Sequence, residues 1–146
     1  MSSLEQLYQQ IILDHAKSPH GRGLVAGEES SHQRNPVCGD EITLALRWDA
    51  ATGSVAGVGW EGAGCSISQA SASLFSDEAP GKSSEELQAF IEEFREALRS
   101  RGAIELDEER FGDAAALSGV SKYVARVKCA MLAWVAAEDL LTRRDG

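Results

Sequence analysis

Thiols are scarce in this chain. Its 146 residues carry three cysteines, Cys38, Cys65 and Cys129. An odd number at wide spacing argues against a disulfide framework, and no C-x2-C pair marks a zinc ribbon. Basic residues are also short: 14 Lys and Arg stand against 23 Asp and Glu, for a net charge of −9 and a pI of about 4.8. That balance argues against nucleic acid, where neutralising phosphates supplies most of the affinity, and against an anionic membrane surface. A basic patch on a partner protein suits it better. No apolar run is long enough to span a bilayer. The first twenty residues lack a basic region ahead of their apolar ones, and Glu5, Gln6, Gln9 and Gln10 interrupt these. They read as a helix rather than a signal peptide, so a cytoplasmic chain with reduced thiols is expected. Repeats and low-complexity tracts are lacking too. The length suits one domain over residues 1–146.

What is present is a clear alternation of patterns. Leu4, Leu7, Tyr8, Ile11 and Ile12 predict the buried face of a first helix, with Ser3 and Gln6 as a capping box and an end before Pro19. From there to Pro36 the chain is polar and carries no clear signal. In Glu41–Trp48, Ile42, Leu44 and Leu46 alternate with Thr43, Ala45 and Arg47, the pattern of a half-buried strand. The turn cluster Asp49–Gly53 and a second alternating run, Ser54–Gly62, complete a hairpin. Small residues after Gly62 suit a close-packed helix that stops at Pro80-Gly81. Ser83 and Glu86 predict a second capping box, followed by a helix buried through Leu87, Phe90, Ile91, Phe94 and Leu98 and closed by Gly102. Ile104–Asp113 is acidic and expected to be an exposed loop or short helix. A last helical segment runs from Ser118-Gly119 to Arg144. Helix, strands, then helices give an α+β layout, with helices on one antiparallel sheet.

The chemistry concentrates at the cysteines. "RNPVCGD" places Cys38 and Asp40 two residues apart, open to reading as a ligand pair, a nucleophile with an acid–base partner, or a turn. Cys65 follows the second strand. The start of one hairpin strand and the end of the next are neighbours in space. Cys38, Asp40 and Cys65 can therefore meet at one end of the sheet, and Cys129 joins them if the last helix packs across that end. Gly39, Gly62 and Gly64 beside these thiols give the backbone room to turn, which an inert core cysteine does not need. Three thiolates and a carboxylate make the four ligands of tetrahedral zinc. The hard oxygen among soft sulfurs marks the weaker link, so the site is able to rearrange. Arg126 and Lys128 beside Cys129 either favour its thiolate or are solvated helix charges. His15, His20 and His32 are expected to be surface or capping residues, since the ligand set is complete without them.

Three motifs in order, "NPVCGD", "GAGCSISQAS" and "ARVKCAMLAW", with the N-terminal "LYQQIILDHAKSPHGRG", resemble the IscU/NifU-like iron–sulfur assembly proteins over nearly the whole chain. The likeness is to their SufU branch. Scaffold members carry a histidine immediately before the third cysteine, where this chain has Lys128, and have a shorter stretch than the 63 residues between Cys65 and Cys129. Val124 stands where relatives often have proline, which leaves the start of the last helix open. The resemblance implies an IscU-like fold and one zinc per chain on Cys38, Asp40, Cys65 and Cys129. It also implies sulfur transfer to Cys38 from the persulfide of a PLP-dependent cysteine desulfurase of SufS type, supported by Arg126. A desulfurase histidine replaces Cys38 on the metal in that picture, and the sulfur passes on to a downstream cluster-assembly scaffold.

Three functions follow as expectations. A zinc-dependent sulfurtransferase activates a desulfurase through Cys38. A scaffold instead holds a [2Fe–2S] cluster on the same residues. A structural zinc module docks partners by its acidic face and unfolds on chelation.

Overall fold

A computed structural model of the protein describes residues 3–37 and 39–145. The first helix, α1, spans Ser3–Lys17 and ends ahead of Pro19 as expected. Ser3 is already helical, one place beyond the capping role predicted for it. The face of α1 is shallower than its periodicity predicts. Tyr8, Ile11 and Ile12 are half-buried against the core, while Leu4 and Leu7 are exposed.

The polar stretch without a sequence signal contains a strand, β1 (Ser31–Asn35). It pairs antiparallel with β2 (Asp40–Trp48), which pairs antiparallel with β3 (Val55–Ala63), so the sheet order is β1-β2-β3. β1 has no apolar residue, and backbone pairing with β2 alone defines it. Ile42 and Leu44 of β2 are fully buried, but so is Ala45 on the opposite face. The chain between α1 and β1 pairs with the free edge of β3. Gly23 donates its N–H to the Trp60 carbonyl at 2.7 Å, and Trp60 returns its N–H to Gly21 at 3.0 Å. Arg47 is bound to Glu28 at 2.6 Å.

After the sheet come α2 (Ser66–Glu78), α3 (Ser84–Arg99), the single turn α4 (Glu108–Phe111), a 3-10 helix (Gly112–Lys122) and α5 (Val124–Asp145). The Ser83–Glu86 capping box is formed in both directions. The last α-helix starts at Val124, the position left open by the missing proline. The chain from 112 to 122 is a separate 3-10 element, not its beginning. The acidic stretch is a short helix with Leu106 and Phe111 buried beneath it.

The core lies where α2 and α5 meet the sheet, with α3 packed on α5. Phe94 stacks on Trp134 at 3.7 Å between ring centroids, and Phe90 stacks on Phe111 at 4.4 Å. Small residues let α2 approach α5 closely: Ser71 Oγ donates to the Ala130 carbonyl at 2.6 Å and accepts from Trp134 Nε1 at 2.9 Å. That seam fixes the height of α5 over the sheet, and with it the position of Cys129.

Candidate metal centre

In the β2–β3 register Glu41 faces Ala63, so Asp40 and Gly64 lie side by side at the open end of the hairpin. Cys65 then occupies the N-cap position of α2, and Cys129 reaches the same end from α5. Asp40 is 1% exposed and Cys129 fully buried; Cys65 is half-buried. A ligand atom from each of the three lies within 4.8 Å of the others. The predicted meeting of Asp40, Cys65 and Cys129 is therefore realised in the fold. Cys38, the fourth expected ligand, lies outside the described residues.

The carboxylate is held by the thiols and backbone around it. Cys65 donates its N–H to Asp40 Oδ1 at 2.8 Å and its thiol to Oδ2 at 3.4 Å. Burial would push the Asp40 carboxyl up. The Cys129 thiol, the Cys65 amide and thiol, and the positive charge of Arg126 outweigh it, so its pKa lies below the ordinary value. Gly64 makes this contact possible. Its φ is +145°, and a Cβ there would overlap the Asp40 carboxylate.

Asn35 belongs to the site and was not singled out by the sequence reading. It is buried, and its Nδ2 donates to Cys129 Sγ at 3.7 Å. Its Oδ1 accepts from Val37 N at 3.2 Å, and its carbonyl accepts from Gly39 N at 2.9 Å. One residue thus ties the turn on both sides of position 38 to the third cysteine. The signal was available in "RNPVCGD", because an Asn before Pro often starts a turn.

Arg126 and Lys128 part company. Arg126 is exposed, three residues before Cys129 and so on the same helical face. It lines a groove with Tyr8, Ile12, Ile67 and Tyr123. Its charge reaches Asp40. Lys128 lines a different groove of about 570 Å³, with Arg34, Arg99 and Met131. The histidines are not in this cluster. His20 and His32 are surface residues as expected, bound to Asp77 at 2.8 Å and near Glu41 at 3.6 Å. His15 departs from expectation: it is buried, with Nδ1 at 2.6 Å from Ser73 Oγ. It sits at the end of α1, where the helix turns onto α2, so a position that looks terminal in sequence is interior in space.

Two sulfurs and one carboxylate oxygen, buried and convergent, suit zinc, which takes cysteine and aspartate ligands in a tetrahedral set. They lack the all-oxygen shell that calcium or magnesium takes.

Comparison with known proteins finds relatives over nearly the whole chain. The NifU-like N terminal domain family model matches residues 7–130. The zinc-dependent sulfurtransferase SufU of Bacillus subtilis is 37% identical over 99% of this chain and 96% of its own length. The iron–sulfur cluster assembly scaffold protein IscU of Streptococcus pyogenes serotype M1 is 36% identical over 98% of this chain and 87% of its own. A crystal structure of a candidate cluster assembly scaffold protein for the SUF system, from Fervidobacterium islandicum AW-1, superposes with a TM-score of 0.76 at 30% identity. It covers 96% of this chain and 99% of that one. With an α+β fold of five α-helices on a three-stranded antiparallel sheet and thiols gathered at one end of it, this chain belongs to the IscU/NifU-like family of iron–sulfur cluster assembly proteins.

Proposed function

We propose that this protein is a zinc-dependent sulfurtransferase that takes persulfide sulfur onto Cys38 from a PLP-dependent cysteine desulfurase and passes it to a cluster-assembly scaffold. The observation that carries this reading is the donor set. Asp40, Cys65 and Cys129 converge within 4.8 Å, and no histidine stands among them. The residue before the third cysteine is Lys128, which lines a groove elsewhere on α5 and as a cation makes a poor ligand. The names of the relatives divide between sulfurtransferase and scaffold. Lys128 in place of a histidine before the third cysteine favours the first.

In this reading Cys38, Asp40, Cys65 and Cys129 hold the zinc, which supplies a redox-inert Lewis acid that keeps thiols deprotonated. Asp40 contributes a carboxylate already ionised by its surroundings. Asn35 holds Val37 and Gly39, both exposed. The Cys38 thiolate attacks the outer sulfur of the donor persulfide. The donor S–S bond breaks, a new S–S bond forms on Cys38, and the desulfurase cysteine leaves as thiolate. No external oxidant or reductant is required. Arg126, exposed beside the site, offsets the negative charge gathered as two anionic sulfur groups approach.

The test combines metal analysis with a desulfurase assay. One zinc held through gel filtration is expected at the cysteine site, together with a stimulated desulfurase rate that Cys38→Ala abolishes. Stimulation surviving Cys38→Ala would sink the proposal. Anaerobic reconstitution yielding a [2Fe–2S] cluster that transfers to an apo-acceptor would favour the scaffold instead.

A further inference from the structure

A second group of metal-ligating side chains stands apart from the cysteines. His15 at the end of α1, His20 in the following loop and Asp77 near the end of α2 bring one ligand atom each within 4.8 Å of the others. We propose that these three form a second, exchangeable binding site for a divalent transition cation of the zinc, nickel or copper kind.

The first argument is ligand orientation. The imidazoles of His15 and His20 lie 4.7 Å apart, centroid to centroid. The His20 backbone N–H donates to Ser73 Oγ at 2.7 Å. The same serine oxygen can also accept the His15 Nδ1–H, 2.6 Å away. A ring nitrogen held in this way fixes the imidazole and leaves the other nitrogen for a metal. Asp77 reaches His20 Nδ1 through both oxygens, at 2.8 and 3.0 Å.

The second argument is rigidity. The His20 carbonyl accepts from Trp60 Nε1 at 2.8 Å and from Ser76 Oγ at 3.0 Å. Gly21, at φ +75°, lies so close to Ser76 that a Cβ would overlap it. The backbone of the loop is therefore fixed to β3 and α2, while the His20 side chain stays accessible from solvent.

The third is charge. The buried His15 imidazole lies among acidic side chains. Asp14, Asp77 and Asp113 act on the same ring. Glu78 lies near Asp77 and Asp113, with Lys82 as the neighbouring cation. A cation entering here meets a field that is negative on balance. Imidazole and carboxylate are ligands that zinc, nickel and copper accept. Without thiolate, the site holds its ion less tightly than the cysteine site. The bound ion would clamp the end of α1, a helix otherwise only half-buried, onto α2.

The experiment titrates Zn2+ alone into the full chain, already carrying its tightly held ion. It compares the wild type with His20→Ala, Asp77→Asn and Cys65→Ser. His20 and Asp77 are solvent-accessible, so their variants should fold. A second equivalent of zinc is expected in the wild type, weakened at least about tenfold in His20→Ala and also weakened in Asp77→Asn. It should be unchanged in Cys65→Ser. Zinc should also slow amide exchange in α1 of the wild type but not of His20→Ala. A wild type without a second equivalent, or one that His20→Ala leaves unaltered, overturns the proposal. Loss of the tight ion in Cys65→Ser concerns the cysteine site alone, so the two sites are judged separately.

Discussion

At the scale of single residues, the candidate metal centre depends on close approach. Gly64 is required because any Cβ at that point would occupy the space of the Asp40 carboxylate. Gly64→Ala should therefore abolish zinc retention while leaving the far-UV circular dichroism close to that of the wild type. Retention of one zinc by that variant would show that Asp40 has room to move. Asp40 also sets a pH dependence. Its pKa in the fold lies below the ordinary carboxylate value of about 4. The stability it contributes is thus present above that value and is lost as pH falls through the lower, folded one. In zinc-free protein, urea midpoints measured downward from pH 5 should fall more steeply in the wild type than in Asp40→Asn. Parallel slopes would assign the acid sensitivity to other groups.

At the scale of elements, α3 was the most legible part of the sequence and α1 and β1 the least. α3 announced itself through Ser83 and Glu86 and through an apolar stripe, and all of these do in the fold what the pattern predicts. Its cap is local chemistry, independent of anything distant. Ser83→Ala should destabilise the protein by about 1 kcal/mol, read from the chemical denaturation midpoint at unchanged m-value. α3 is also joined to α5 by Arg95, which donates to both oxygens of Glu138 at 2.8 and 2.6 Å. No periodicity signals a pair so far apart in sequence. β1 escaped for the same reason: Ser-His-Gln-Arg-Asn has no apolar face, and it is a strand only because β2 offers it a free edge. α1 shows the opposite error. Its pattern is helical, but only Tyr8, Ile11 and Ile12 of its predicted face find partners.

At the scale of the whole molecule, the apolar core and the metal centre are separate. The core runs through Trp60, Phe75, Phe90, Phe94 and Trp134, all fully buried, while Asp40, Cys65 and Cys129 gather at one end of the sheet. Folding is therefore expected not to wait on a metal, unlike in small zinc-nucleated modules. Removing zinc with a chelator should lower the thermal midpoint yet leave a cooperative transition and the helical signal intact. Loss of cooperative unfolding in the chelated protein would restore the structural-module reading.

What the sequence determined by itself was local. Caps, alternation and turn residues state their own conformations, and Cys38, Asp40, Cys65 and Cys129 state their chemistry. Their order along the chain carries the family resemblance as well. What only the tertiary structure decided was proximity. The small residues Ser71 and Ala130 set how closely α5 approaches α2, and that distance brings Cys129 to Asp40 and Cys65. The same packing turned His15 inward to face His20 and Asp77 across α2. Residues tens of positions apart become one site through the packing of the elements between them, and that packing is a sum of many weak contacts with no local signature.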